Sequence, residues 1–243
     1  MINCMIDTQK YDIDLEKLLS RRLAQCGCAC GVGACNGAVS VSVREGEQLV
    51  RLADALMLVL CRDLQYFELA RMIDELPLSL PEKQTALASA LETAHETERT
   101  QPVRDALVSY LKTEKRLNLE GFVQFRMRDS LRDWHDCAER AAAETLVRRE
   151  YTELLGALSA FVRTQAPRVA ELSICIHPDG SCTLTDDSDA CIEYVDCSED
   201  GIVSMLVGMA PARLTVYDLS GGSGRRLTDA LRRVFAGRVK VYR

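Results

Sequence analysis

Cys26, Cys28, Cys30 and Cys35, spaced C-x-C-x-C-x4-C in a glycine-rich segment, are the densest set of metal-ligating side chains in the sequence. Four thiolates close a tetrahedral zinc site with bonds of about 2.3 Å. Zinc knuckles draw their sulfurs from C-x2-C pairs, whose two-residue gap lets both reach one ion from a tight turn, and this stretch holds no such pair. The expectation is a flexible glycine-rich loop without a cofactor, with zinc on these four residues as the alternative.

A second constellation is Ser220, Gly221, Gly222, Ser223 and Gly224, which joins a predicted strand to a helix opening with Arg225 and Arg226. Backbone N–H groups at such a helix start can cradle a phosphate, and the two arginines would add charge. Neither a G-x4-G-K-[ST] nor a G-x-G-x-x-G pattern accompanies it, and a polar glycine-rich connector between sheet elements is the commoner cause of this composition. The three histidines have no nucleophile beside them in sequence. His177 precedes a turn proline and is expected to bond the hairpin, His135 lies next to Asp136 and four residues before Glu139, and His95 falls on a polar helix face. Asp186, Asp187 and Asp189 lack the glycine and terminal glutamate of a calcium loop and read as an exposed turn. No catalytic residue is expected.

The elements that must position these groups belong to an ordinary globular chain of 243 residues, 47% hydrophobic and 27% charged, enough for one generous core or two modest ones. A formal net charge of -6 argues against nucleic-acid binding through the overall field. No apolar run approaches the roughly 20 residues of a spanning helix, and the amino terminus lacks the pattern of a secretory signal. With eleven cysteines, an odd number, the expectation is a cytoplasmic protein with reduced thiols.

MINCMID predicts a strand, Leu15, Leu18, Leu19 and Leu23 a helix, and the alternation of Val39, Val41 and Val43 a second strand, together a small N-terminal β-α-β unit. Helices follow over Glu47 to Leu76, from a capping box at Ser79 and Glu82 to near Pro102, and over Val103 to Lys112. Asn118 is the predicted N-cap of the longest helical tract, which Pro167 ends and which is expected to break around Arg128 to Asp133. A β-hairpin turns at His177 to Gly180. A third strand is predicted from Cys191 to Val195, then a helix capped by Ser198 and closed by Pro211, a strand at Leu214 to Tyr217, a helix from Gly224 to Ala236, and a final strand. The fold class is α+β, a helix-rich middle between the small N-terminal unit and a C-terminal mixed sheet, with the division placed at 1–112 and 113–243.

Within that C-terminal part, Glu120, Gly121, Phe122, Phe125 and Arg126 form an E-G-F-x-x-F-R helix opening. Glu150, Tyr151, Glu153, Leu155, Leu158, Phe161, Val162, Gln165 and Pro167 continue it, and the H-P-D-G turn from His177 completes it. The stretch from about residue 113 to 220 resembles the YtxC-like family of bacterial sporulation proteins. The resemblance implies a role in endospore formation and no particular reaction. On the residues themselves, Phe122 and Phe125 share one helical face and suggest a packing joint holding the long helix to the terminal sheet. Arg126 at its edge is expected to pair with Glu120 or a hairpin acid.

Charge also splits at this end. Glu171 to Asp200 carries nine acids and no Lys or Arg, whereas Arg213 to Arg243 carries eight basic residues and two acids. The reading that follows is a non-catalytic factor that binds another protein through its helical middle or its charge-split end, with self-association open. A phosphate-ligand or nucleotide-binding enzyme using Ser220 to Gly224, Arg225 and Arg226, assisted by Arg126, is the alternative.

Overall fold

Two sheets, each with its own helices and core, make up the chain in a computed structural model that describes residues 2–11, 13–35, 37–96, 100–186, 191–194 and 198–243. The fold is α+β, with compact units over Met1–Leu146 and Val147–Arg243. This boundary lies later than the one read from sequence because the segment after residue 112 feeds the first core. Leu117, Leu119, Phe122, Trp134 and Ala141 are all buried there.

In the first unit, β1 (Ile2–Asp7) is followed by α1 (Leu15–Gln25), β2 (Gly31–Cys35) and β3 (Ala38–Val43). β1 runs antiparallel to β3, with Cys4 and Ile6 opposite Val41 and Val39, and these apolar side chains alternate into the core. Asp14 caps α1 by accepting the Lys17 N–H at 3.0 Å. β2 corrects part of the expectation of a loop: Gly31–Cys35, the end of the glycine-rich cysteine segment, is an edge strand paired with β3. Then come α2 (Glu47–Leu58), a π-helical turn at Val59–Leu64, and α3 (Gln65–Asp74). α4 (Leu80–Glu96) opens with the Glu82 carboxylate reaching back to accept both the Ser79 N–H at 2.7 Å and the Ser79 hydroxyl at 2.6 Å. α5 (Thr100–Thr113) holds Pro102 inside its first turn, where a missing N–H costs nothing.

A three-residue strand, β4 (Arg116–Asn118), pairs parallel with β1 and completes the order β2-β3-β1-β4. Asn118 caps α6 (Leu119–Arg126) through the Gly121 N–H at 2.7 Å. The tract breaks at Met127, directly before the predicted window, and α7 (Arg128–Thr164) follows. With its amide oriented to satisfy both neighbours, buried Gln65 donates to the Cys61 carbonyl and accepts from the Trp134 indole, each at 2.8 Å.

The second unit takes the end of α7, then β5 (Val169–Ile176), β6 (Cys182–Asp186), β7 (Cys191–Tyr194), α8 (Glu199–Met209), β8 (Pro211–Asp218), α9 (Arg225–Val234) and β9 (Val239–Tyr242). The sheet order is β7-β6-β5-β8-β9, with β5, β8 and β9 parallel and the other two pairs antiparallel. The N-terminal strands therefore form a sheet of their own. Ser198 caps α8 by accepting the Gly201 N–H at 3.2 Å, and Ala210, at φ 48°, turns the chain so that Pro211 opens β8. Leu172, Ile174 and Ile176 face a core shared with Leu206, Leu231, Phe235, Leu155 and Val162. Asp187, Asp189 and Val195, which entered the expected turn and third strand, lie outside the described residues. Among the described residues, no helix is long and apolar enough to cross a membrane.

Candidate functional site

The E-G-F-x-x-F-R motif divides between core and solvent. Phe122 is 4% exposed and meets Tyr110 edge-on, ring centroids 5.8 Å apart, inside the first unit. Phe125, three residues on, is 67% exposed. The expected aromatic joint to the terminal sheet is thereby corrected: of the two rings only Phe122 enters a core, and that core is the first unit's. Arg126 is exposed and, among the described residues, has no carboxylate partner. The acid expected to pair with it, Glu120, is used elsewhere: its Oε1 accepts the Thr8 hydroxyl and the N–H groups of Gln9 and Lys10, each at 2.6 Å. Gly121 sits over the Asn118 cap, where an added Cβ would lie 3.1 Å from Asn118 Oδ1.

Beside Glu120 lies a residue that sequence reading passed over. Glu68 is buried on α3, where its carboxylate accepts hydrogen bonds from Lys10, from the Tyr11 hydroxyl and from Arg71, the last at 2.9 Å. Burial pushes the Glu68 carboxyl up, but the three donors outweigh it and hold the group below its ordinary value. Burial likewise opposes ionisation of Glu120, and the Thr8 hydroxyl with the backbone N–H donors again wins. Both acids are thus ionised structural acceptors. The available signal was positional, since Gln65 and Glu68 stand on the face of α3 that also carries Leu69 and Ile73.

In the second unit, the Tyr151 hydroxyl donates to Glu199 in the first turn of α8. Burial and that carboxylate push the Tyr151 phenol up to about 12. The Gln165 carbonyl accepts from Arg238 at 3.4 Å. His177 serves the hairpin: its Nε2 lies 2.8 Å from the Thr183 hydroxyl, and its backbone N–H donates to Ser181 at 2.9 Å.

These motif segments fall inside one matched span. The model of the YtxC-like family matches residues 72–240, more than half of the chain. The chain belongs to the YtxC-like family. No curated protein and no solved structure matches it.

The Ser220 to Gly224 loop also lies in the YtxC-like span, and the N–H groups of Ser220, Gly222 and Gly224 are already engaged. The Ser220 hydroxyl donates to Asp218 at 2.5 Å and itself accepts the N–H groups of Gly224 at 2.7 Å and Gly222 at 3.4 Å, while the Arg225 N–H bonds Gly222. The Ser220 hydrogen bond holds the Asp218 carboxyl below its ordinary range, so an anion sits inside the turn where the phosphate reading needs attraction. Arg225 faces Asp229 at 3.9 Å. The loop works as a latch between β8 and α9. Gly224→Ala is expected to destabilise this unit by about 1–3 kcal/mol, because the new Cβ would stand 2.9 Å from Ile176 Cγ2 and from Ser220 Oγ. Earlier hydrogen exchange across residues 147–243 would register that loss. Unchanged exchange would mean the turn has room to spare.

The four cysteines do not converge. Cys28 and Cys30 have sulfurs 3.8 Å apart, but Cys35 stands at the far end of β2. Four residue steps of strand carry it about 13 Å beyond Gly31, too far for one ion with bonds of about 2.3 Å. Among the described residues, the one group of three potential ligand atoms lying close together is His135, Asp136 and Glu139, all exposed on α7. His95 is exposed on α4.

A surface feature of the family region remains. Tyr151, Leu155, Leu158 and Val162 turn one face of α7 into the second core, yet Val147, Leu154 and Phe161 are 65%, 53% and 53% exposed. Their spacing of seven, close to two helical turns, aligns the three along one line of the helix. In sequence, both sets merge into a single list of apolar positions.

Proposed function

We propose that this YtxC-like protein is a non-catalytic, cytoplasmic factor of endospore formation that acts by binding another protein along the outward face of α7. The observation carrying this reading is the exposed Val147, Leu154 and Phe161 stripe. Large apolar side chains aligned on one face of a helix are costly to leave in water and mark contact surfaces. A helix lying along them would bury all three, in the manner of helix-in-groove recognition. The enzyme reading loses support, because the loop it relied on spends the Gly222 and Gly224 N–H groups on Ser220 and sets Asp218 beside them.

The test is Leu154→Glu with Phe161→Glu. Both side chains are exposed, so the double variant should fold with a stability within about 1 kcal/mol of the parent. It should fail to restore spore formation in a strain deleted for the gene. Sizing of the purified parent and variant separates self-association from a different partner, since only the former would lower the parent's apparent mass on substitution. Full restoration by a folded double variant rejects the reading.

A further inference from the structure

The first unit contains a cavity of about 430 Å³ between the loop after β1, α3 and the α6–α7 corner. We propose that it binds a small organic oxyanion, a phosphate or carboxylate carried on a hydroxylated carbon frame. The site is independent of the α7 face, and this inference does not rest on the partner-binding reading.

The argument is one of charge and of unfilled hydrogen bonds. Lys10, Arg71, Arg128, Arg132 and His135 line the cavity against two acids, Glu68 and Glu120. Both acids have committed oxygens: Glu68 receives Lys10, Tyr11 and Arg71, and Glu120 Oε1 receives Thr8 and two backbone N–H groups. The lining therefore keeps two net positive charges with His135 neutral. Arg128 and Arg132, one turn apart on α7, supply them, since among the described residues neither has a carboxylate partner. Arg128 is held over the Phe125 ring, its guanidinium 5.9 Å from the centroid, and donates to the Gln124 carbonyl at 3.3 Å. The acids that pair with Arg71 and His135 from outside the lining, Glu75 at 2.9 Å and Glu139 at 3.6 Å, are well exposed. Two guanidinium forks one turn apart match the geometry of a phosphate or carboxylate.

The rest of the cavity specifies the other end of the ligand. Glu120 Oε2 is buried without a hydrogen-bond donor among the described residues, and Glu120 belongs to the lining. A hydroxyl on the ligand would supply that donor. Met72, Val123 and Leu131 give the cavity an apolar surface for a short carbon frame. The volume lies within the usual range of small-molecule sites, roughly 300–1,000 Å³.

The experiment is calorimetric titration of the full chain with inorganic phosphate, glycerol 3-phosphate and malate, at constant ionic strength in a buffer free of other oxyanions. The expected result is saturable one-to-one binding of glycerol 3-phosphate or malate, with whichever binds assigning phosphate or carboxylate, and weaker binding of inorganic phosphate. The Arg128→Ala, Arg132→Ala double variant, altered only at exposed side chains, should bind about tenfold more weakly or worse. The Arg225→Ala, Arg226→Ala variant should bind as the parent does. No saturable binding of any probe, binding unchanged by loss of Arg128 and Arg132, or binding lost on substituting Arg225 and Arg226 each overturns the proposal.

Discussion

Phe122→Ala lowers the stability of the first unit by about 3–5 kcal/mol, whereas Phe125→Ala leaves it within about 0.5 kcal/mol. The two phenylalanines belong to one motif and one short helix, yet only Phe122 is enclosed, edge-on to Tyr110 and among the buried side chains around Leu119 and Val123. Truncation there removes the transfer energy of a ring and opens a cavity that close-packed neighbours fill poorly. The chain's only tryptophan, Trp134, is buried in the same core, so denaturant unfolding followed by its fluorescence reads this unit directly. Equal losses from the two variants would mean that Phe125 is packed in solution.

Glu68→Ala costs the same unit about 3 kcal/mol, the lower end of what breaking a buried ion pair costs. The carboxylate is buried, but Lys10 and Arg71 are partly exposed and regain water once released, which is why the lower figure applies. Tyr11 loses an acceptor with less compensation. The pH dependence follows from the direction of the shifts. Glu68 and Glu120 both have folded values depressed below the ordinary 4.5, so their stabilisation is complete above about pH 5 and is lost as pH falls through 4.5 toward those folded values. Between pH 6 and pH 3 the parent should therefore lose more stability than Glu68→Ala, measured as denaturant midpoint against pH. Parallel profiles would show that Glu68 titrates normally.

Much of this architecture was legible where local chemistry dictates it. The alternation of Val39, Val41 and Val43, the turn at His177 to Gly180, and the side-chain caps Asn118 and Ser198 each state a backbone preference within a few residues. β2 escaped because Gly31, Gly33 and Ala34 carry no alternating apolar pattern. Its strand character comes from the register with Ser42 to Ala38. β4 is three residues long and exists because β1 offers a parallel edge. The π-helical turn at Val59–Leu64 carries apolar residues that an α-helical pattern accommodates equally well, so nothing local announced it.

The sites were less legible for a related reason. Glu120 looked like a partner for nearby Arg126, but its donors come from Thr8, Gln9 and Lys10, more than a hundred positions away. The glycine-rich loop looked open to phosphate until Asp218 and Ser220 were seen to fill it. On α7, a single apolar list concealed two faces, and only burial separates Leu155 and Val162 from Leu154 and Phe161.

The outward α7 stripe is the claim on which the functional account stands. A photo-activatable phenylalanine analogue placed at Leu154, and separately at Phe161, in the host during spore formation tests it most directly, with the exposed Glu92 of α4 as the reference position. The account predicts one discrete protein adduct, the same from both α7 positions and missing from position 92. Illumination that yields no adduct at 154 or 161, or the same adduct from position 92, contradicts it.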